Sequence, residues 1–131
     1  MKIVPILIFS LLFGVVGCTQ PVLKKVSVAE AKTLLAKNDP NLQIVDLRTP
    51  GEIANTGAIP GAEFIDFNSA AFPQKVKQLD KKRPVLLYCA VGGRSGQAAD
   101  MLHKQGFLKV YDLAPGMNGW LAAGNKTSKP N

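Results

Sequence analysis

Residues Tyr88 to Ser95 read YCAVGGRS and follow the apolar run Pro84-Val85-Leu86-Leu87. A cysteine closing such a run is a buried hydrophobe, half of a disulfide, a metal ligand or a nucleophile. Many such cysteines are purely structural; here the following residues move the reading toward chemistry. Gly92 and Gly93 tolerate positive φ, so successive N–H groups can turn inward as an anion-binding nest. A helix opening near Arg94-Ser95 aims its positive end at the same place, and Arg94 adds a full charge. All three favour thiolate, the nucleophilic form of cysteine, over thiol. Each pKa unit of depression needs about 1.4 kcal/mol. A helix terminus supplies roughly 0.3–2 kcal/mol, so with the loop amides and Arg94 a fall of about one to two units is expected. The only histidine, His103, lies about nine residues into that helix, roughly 13 Å along its axis. It reads as a surface or helix-end residue, and a Cys–His pair of the protease kind is disfavoured.

The wider census narrows the choice for Cys89. The chain has 131 residues, enough for one domain with a modest core, and 2 cysteines. The second, Cys18, ends a leader in which Lys2 precedes an uncharged stretch from Ile3 to Gly17. That stretch is shorter than the roughly 20 residues that span a bilayer and fits a secretory signal peptide, residues 1–17. Val15-Val16-Gly17-Cys18 resembles the bacterial lipoprotein cleavage box, which implies a diacylglyceryl group on Cys18 and a membrane-anchored mature chain. Thr19 and Gln20 follow with no aspartate, as in lipoproteins sorted to the outer membrane. An ordinary secreted chain and an uncleaved anchor are the alternatives. With Cys18 lipidated, Cys89 has no disulfide partner and stands as a lone thiol in an oxidising, periplasmic compartment. One cysteine and one histidine do not make a closed zinc site, so no metal and no cofactor is expected. Lys and Arg number 16, with Lys2 in the leader, against 9 Asp and Glu. The lysines are scattered without interleaved aromatics, which describes a solvated basic surface, with no nucleic-acid partner and some attraction for anions.

The elements that must position the loop follow from local signals. Thr19 to Val26 reads as part of a tether, residues 18–26. Ser27 with Glu30 forms a capping box for a helix that Asn38-Asp39-Pro40 stops. Leu42 to Leu47 is a buried strand, and Thr49-Pro50 starts a short helix that ends by Gly57. Glu63 to Phe67 alternates as a strand, and Phe72 to Leu79 has helical spacing. Val85 to Cys89 is the second clear strand, Ser95 to Gln105 a helix closed by Gly106, and Lys109 to Leu113 a third strand. Gly116 to Ala123 forms a last helix with Trp120 in the core, and residues 125–131 read as a polar, frayed tail. Alternating strands and helices predict an α/β domain over residues 27–124, its mainly parallel sheet covered on both faces. In such sheets ligands bind where strands end, and both Cys89 and the Asp46-Leu47-Arg48 segment sit at strand ends.

These residues carry a resemblance. YCAVGGRS is similar to the active-site loop of the rhodanese-like sulfurtransferases, C-x-x-G-x-R-S, through Cys89, Gly92, Arg94 and Ser95. VDLRTPGEI resembles the family's V-D-x-R-x-x-x-E segment through Val45, Asp46, Arg48 and Glu52. Ile59 to Ala62 and the pair Gly116 and Trp120 match its later turn and closing element. Ala58 stands where the family often has histidine, Pro115 where it usually has glycine, and Ile53 where an aromatic is usual.

The resemblance implies a rhodanese-like fold and a thiosulfate sulfurtransferase working through a Cys89 persulfide, with cyanide or a thiol as acceptor and a protein acceptor as a further partner. Ala90, Val91, Gly92, Gly93 and Ser95 would cradle the anionic persulfide with their amides. Arg94 would orient the donor oxyanion or hold the loop, and Asp46 and Arg48 would brace the loop from the neighbouring strand end. Two rivals remain in view. A cysteine phosphatase needs five residues between its cysteine and arginine, whereas Cys89 and Arg94 enclose four. A periplasmic persulfide carrier or partner-binding module with little turnover would keep the same loop.

Overall fold

The computed structural model describes residue 14 and residues 17–130. The leader, residues 1–17, lies almost wholly outside them, and no helix among the described residues is long and apolar enough to cross a membrane. The domain alternates strand and helix: β1 (Val22–Val26), α1 (Val28–Ala36), β2 (Gln43–Asp46), α2 (Pro50–Thr56), β3 (Glu63–Phe64), α3 (Phe72–Val76), β4 (Val85–Tyr88), α4 (Gly93–Lys104), β5 (Lys109–Leu113) and α5 (Gly116–Ala122). The five strands form one sheet in the order β1-β5-β4-β2-β3, parallel at every pairing.

Central β4 is buried at all four positions, because helices cover both faces of the sheet. On one face Val85 and Leu87 of β4 pack with Phe72 and Val76 of α3 and Ala98, Ala99 and Leu102 of α4. On the other, Leu86 and Tyr88 pack with Ala31 of α1 and Met117 and Trp120 of α5. Two helices start where the sequence marks them. Ser27 Oγ accepts from Glu30 N, and Glu30 Oε2 accepts from Ser27 N. Thr49 and Glu52 repeat the box at α2, with Pro50 in its first turn. Each cap stabilises its helix by about 1 kcal/mol.

Three expectations change. The tether ends at Pro21, because Val22–Val26 is a strand, running parallel to β5 at the sheet edge. Only Val26 is buried there, and Lys24 and Lys25 interrupt the apolar pattern; charged residues are what an edge strand uses to discourage further pairing. The C-terminal segment is docked, not frayed. Trp120 Nε1 donates to Lys126 O at 3.0 Å, Thr127 Oγ1 donates to Thr56 O at 2.8 Å, and Ala58 and Ser128 exchange backbone hydrogen bonds. Its contacts are made largely by main chain, which a polar sequence does not advertise. Finally, α4 begins at Gly93, two residues before the expected start, which brings the helix terminus closer to Cys89.

Candidate active site

Cys89 follows β4, and the chain leaves β4 toward β5 on one side of the sheet. From the adjacent β2 it leaves in the opposite direction, toward β3. The two loops therefore part above the carboxyl ends of β2 and β4, opening the crevice in which parallel sheets place their chemistry. Cys89 and Arg48 follow these two strand ends.

The 89–95 loop is shaped by backbone constraints from a distant helix. Gly92 has φ of +96°, and a Cβ there would run into the Ala114 carbonyl. Gly116, at φ of +61°, lets the start of α5 approach the carbonyls of Cys89 and Ala90. Met117 N then donates to Cys89 O at 2.8 Å, and Asn118 N to Ala90 O at 3.0 Å. With those carbonyls held by α5, amides face the sulfur: Gly92 N lies 3.1 Å and Ser95 N 3.4 Å from Cys89 Sγ. The Ser95 hydroxyl lies 3.6 Å from Sγ. Burial alone would push the Cys89 thiol up, yet the Ser95 amide and hydroxyl and the Gly92 and Val91 amides together take it below the ordinary cysteine value. The loop thus favours a thiolate without histidine. His103 sits in the last turn of α4, half-buried, with Nδ1 lacking a hydrogen-bond partner.

Arg94 is engaged from the side. Its Nη1 donates to Glu52 Oε2 at 2.9 Å and its Nη2 to Glu52 Oε1 at 2.7 Å, a two-bond clamp across the crevice. Glu52 is the partner that residue spacing alone does not name. It also caps α2 through Thr49, and the Arg94 guanidinium above all holds its carboxyl at about 2. Of the two roles expected of Arg94, these bonds serve the second, holding the loop.

Asp46 and Arg48 do not brace the 89–95 loop directly. Arg48 Nε donates to Asp46 Oδ1 at 3.0 Å and its Nη2 to Asp46 Oδ2 at 2.6 Å, in a fully buried pair. The same guanidinium donates to Thr56 Oγ1 and to Gly57 O, each at 2.8 Å, and lies 5.8 Å from the Tyr88 ring centroid. The pair therefore pins the end of α2, and α2 carries the Glu52 that clamps Arg94. The reason is reach: the Arg48 side chain folds back on its own strand-end loop to satisfy its donors where water is excluded.

A second residue the sequence left unassigned is Asp112. It shares the inward face of β5 with Val110, faces α4 and is 1% exposed. Ser95 Oγ lies 2.7 Å from its Oδ1. The one available signal was a carboxylate at an inward position of an otherwise apolar strand. Of the cysteines, Cys89 is buried, Cys18 is exposed, and both are free thiols.

A parallel α/β domain that sets a cysteine among amides at the switch point of its sheet is the class this geometry defines. The chain belongs to the rhodanese-like domain family, whose profile matches residues 27–123. It is 38% identical over 81 residues to a sulfurtransferase of Allochromatium vinosum, covering 62% of this chain and 73% of that protein. Its identity to the thiosulfate sulfurtransferase GlpE of Tolumonas auensis is 31% over 96 residues, covering 73% of this chain and 86% of that one. Among solved structures, a rhodanese-like domain protein from Staphylococcus aureus superposes with a TM-score of 0.67 at 30% identity, over 80% of this chain and 98% of that one. Sulfur transfer of the persulfide type is the general activity of this family.

Proposed function

We propose that the chain is a thiosulfate-type sulfurtransferase that carries sulfane sulfur on Cys89. The observation that carries this reading is the pair of amides, Gly92 N and Ser95 N, converging on Cys89 Sγ from the start of a helix. Thiolate Sγ attacks the outer sulfur of thiosulfate. The S–S bond of the donor breaks, sulfite leaves with the bonding electrons, and Cys89 keeps a persulfide whose negative charge the loop amides accept. Cyanide or a thiolate then attacks the outer sulfur and returns Cys89 as thiolate. Arg94, held in place and partly exposed by Glu52, offers its positive field to the approaching anion. Incubating the chain with thiosulfate is expected to add the mass of one sulfur at Cys89 and to yield thiocyanate when cyanide follows. Absence of the adduct, with Cys89→Ser forming as much thiocyanate as the unaltered chain, removes the enzymatic reading.

Val91, which is 67% exposed at the tip of the loop, favours a protein thiol as the acceptor within the same chemistry. An apolar side chain beside the sulfur suits contact with a partner surface better than capture of a small anion. The carrier reading differs only in turnover, and the thiocyanate rate separates the two. Export as a lipoprotein anchored through Cys18, on the periplasmic face of the outer membrane, completes the proposal; the exposure of Cys18 is compatible with it.

A further inference from the structure

Three polar groups stand in a row behind the nucleophile. Cys89 Sγ lies 3.6 Å from Ser95 Oγ, and Ser95 Oγ lies 2.7 Å from Asp112 Oδ1. All three residues are almost fully buried. Cys89 follows β4, Ser95 lies in the first turn of α4 and Asp112 belongs to β5, so the row is a product of the fold and not of local sequence. We propose that Asp112 is the proton acceptor for the Cys89 thiol, acting through the Ser95 hydroxyl, so that Cys89 and Asp112 hold one proton between them near neutral pH.

This rests on Cys89 being the nucleophile of the reading above. It supplies the base that the sequence otherwise lacks. In one arrangement the thiol donates to Ser95 Oγ, and the Ser95 hydroxyl donates to the Asp112 carboxylate. Transfer breaks the S–H bond of Cys89, whose proton goes to Ser95 Oγ. The original Ser95 proton moves to Asp112 Oδ1. Ser95 is regenerated, Cys89 is a thiolate, Asp112 is a neutral acid, and the total charge of the row is unchanged. The chain of hydrogen bonds then runs the other way, with Asp112 donating to Ser95 and Ser95 donating to sulfur. Both arrangements leave every member partnered, which a buried polar row requires.

The surroundings press the proton toward Asp112. Burial pushes the Asp112 carboxyl up, opposed by its bond to Ser95 and by Lys25, and Asp100 on α4 adds to the rise. Lys25 is the register partner of Asp112 on β1 and favours the ionised carboxylate. At the other end of the row Gly92 N and Ser95 N favour the thiolate, with the Arg94 charge nearby and its Glu52 partner further out. Asp112 also lines a cleft of about 310 Å³ with Lys25, Gly92, Gly96 and Asp100. Coupled groups of this kind lose their protons in two macroscopic steps that belong to the pair.

The test is a pH titration of the ultraviolet thiolate absorbance of the full chain, with the Cys89→Ser chain subtracted to remove Cys18 and tyrosine. A two-step curve is expected, with part of the Cys89 thiolate appearing in the first step and the rest at higher pH. In Asp112→Asn a single step of full amplitude is expected at a pH between those two, so that the plateau of partial thiolate is lost. Ser95→Ala, which shortens a small side chain and keeps Asp112, is expected to abolish the first step as well and stands in should Asp112→Asn misfold. A single step in the unaltered chain, or a step that stays in place or moves to lower pH in Asp112→Asn, overturns the proposal. No sulfur donor enters this measurement, so a normal two-step curve without a persulfide would count against sulfur transfer and leave the relay standing.

Discussion

At the scale of single residues, the site is built by groups that each hold one other group in place. Arg94 carries the charge, but Glu52 fixes where it sits. The pH behaviour of that clamp has a definite sign. Glu52 has its folded pKa lowered from 4.5 to about 2, so its contribution is fully present above about 4.5 and is lost as pH falls through about 2. Glu52→Gln is therefore expected to lower the urea midpoint slightly at neutral pH, and the two midpoints should converge between pH 4.5 and 2. Because the pair is partly exposed, with side chains 22% and 34% accessible, screening limits the neutral-pH loss to about 1 kcal/mol or less. The larger effect is expected on sulfur-transfer rate, since a released Arg94 no longer presents its charge in one place. Unchanged turnover in Glu52→Gln would argue that the clamp serves stability alone.

At the scale of elements, what was legible depended on how locally each was encoded. The capping boxes at Ser27 and Thr49 and the apolar runs of β2, β4 and β5 are written in adjacent residues, and these elements stand within a residue or two of expectation. β1 was hidden because an edge strand buries little, and Lys24 and Lys25 break its apolar pattern. The C-terminal strap was hidden because its partners, Thr56, Ala58 and Trp120, are reached mostly through main chain. The loop itself was readable from Cys89, Gly92 and Arg94. The partners of that loop were not: Glu52 lies 42 residues from Arg94, and Asp112 lies 17 from Ser95, so only the strand order brings them together. The hidden strand carries a prediction. A chain beginning at Ser27 lacks β1 and leaves the β5 edge unpaired. At about 1 kcal/mol for each of the roughly five backbone hydrogen bonds such a parallel register makes, it is expected to lose up to about 5 kcal/mol in chemical denaturation. An unaltered midpoint would mean that β1 is dispensable to the fold.

At the scale of the whole molecule, the sheet order decides that chemistry happens at one edge of the domain, where the loops after β2 and β4 part. The other end of the chain bears on where that chemistry is delivered. Cys18 lies only a few residues before β1, so a lipid on Cys18 would hold the domain close to the membrane surface. With that lipid in place the protein is expected to partition with membranes, and Cys18→Ser to release it to the soluble fraction. A Cys18→Ser chain that stays equally membrane-bound would instead make the leader an uncleaved anchor.

The burial of Cys89, 1% exposed beneath its own loop, decides more than the charge of the thiol. In a persulfide there are two sulfurs, and an acceptor thiolate that struck the inner one would join itself to the protein as a mixed disulfide and stall the cycle. In a Cys89 persulfide the inner sulfur would be sunk among Gly92, Ser95 and the end of β4. Regiochemistry would then be a matter of depth, the outer sulfur being the one an acceptor meets first.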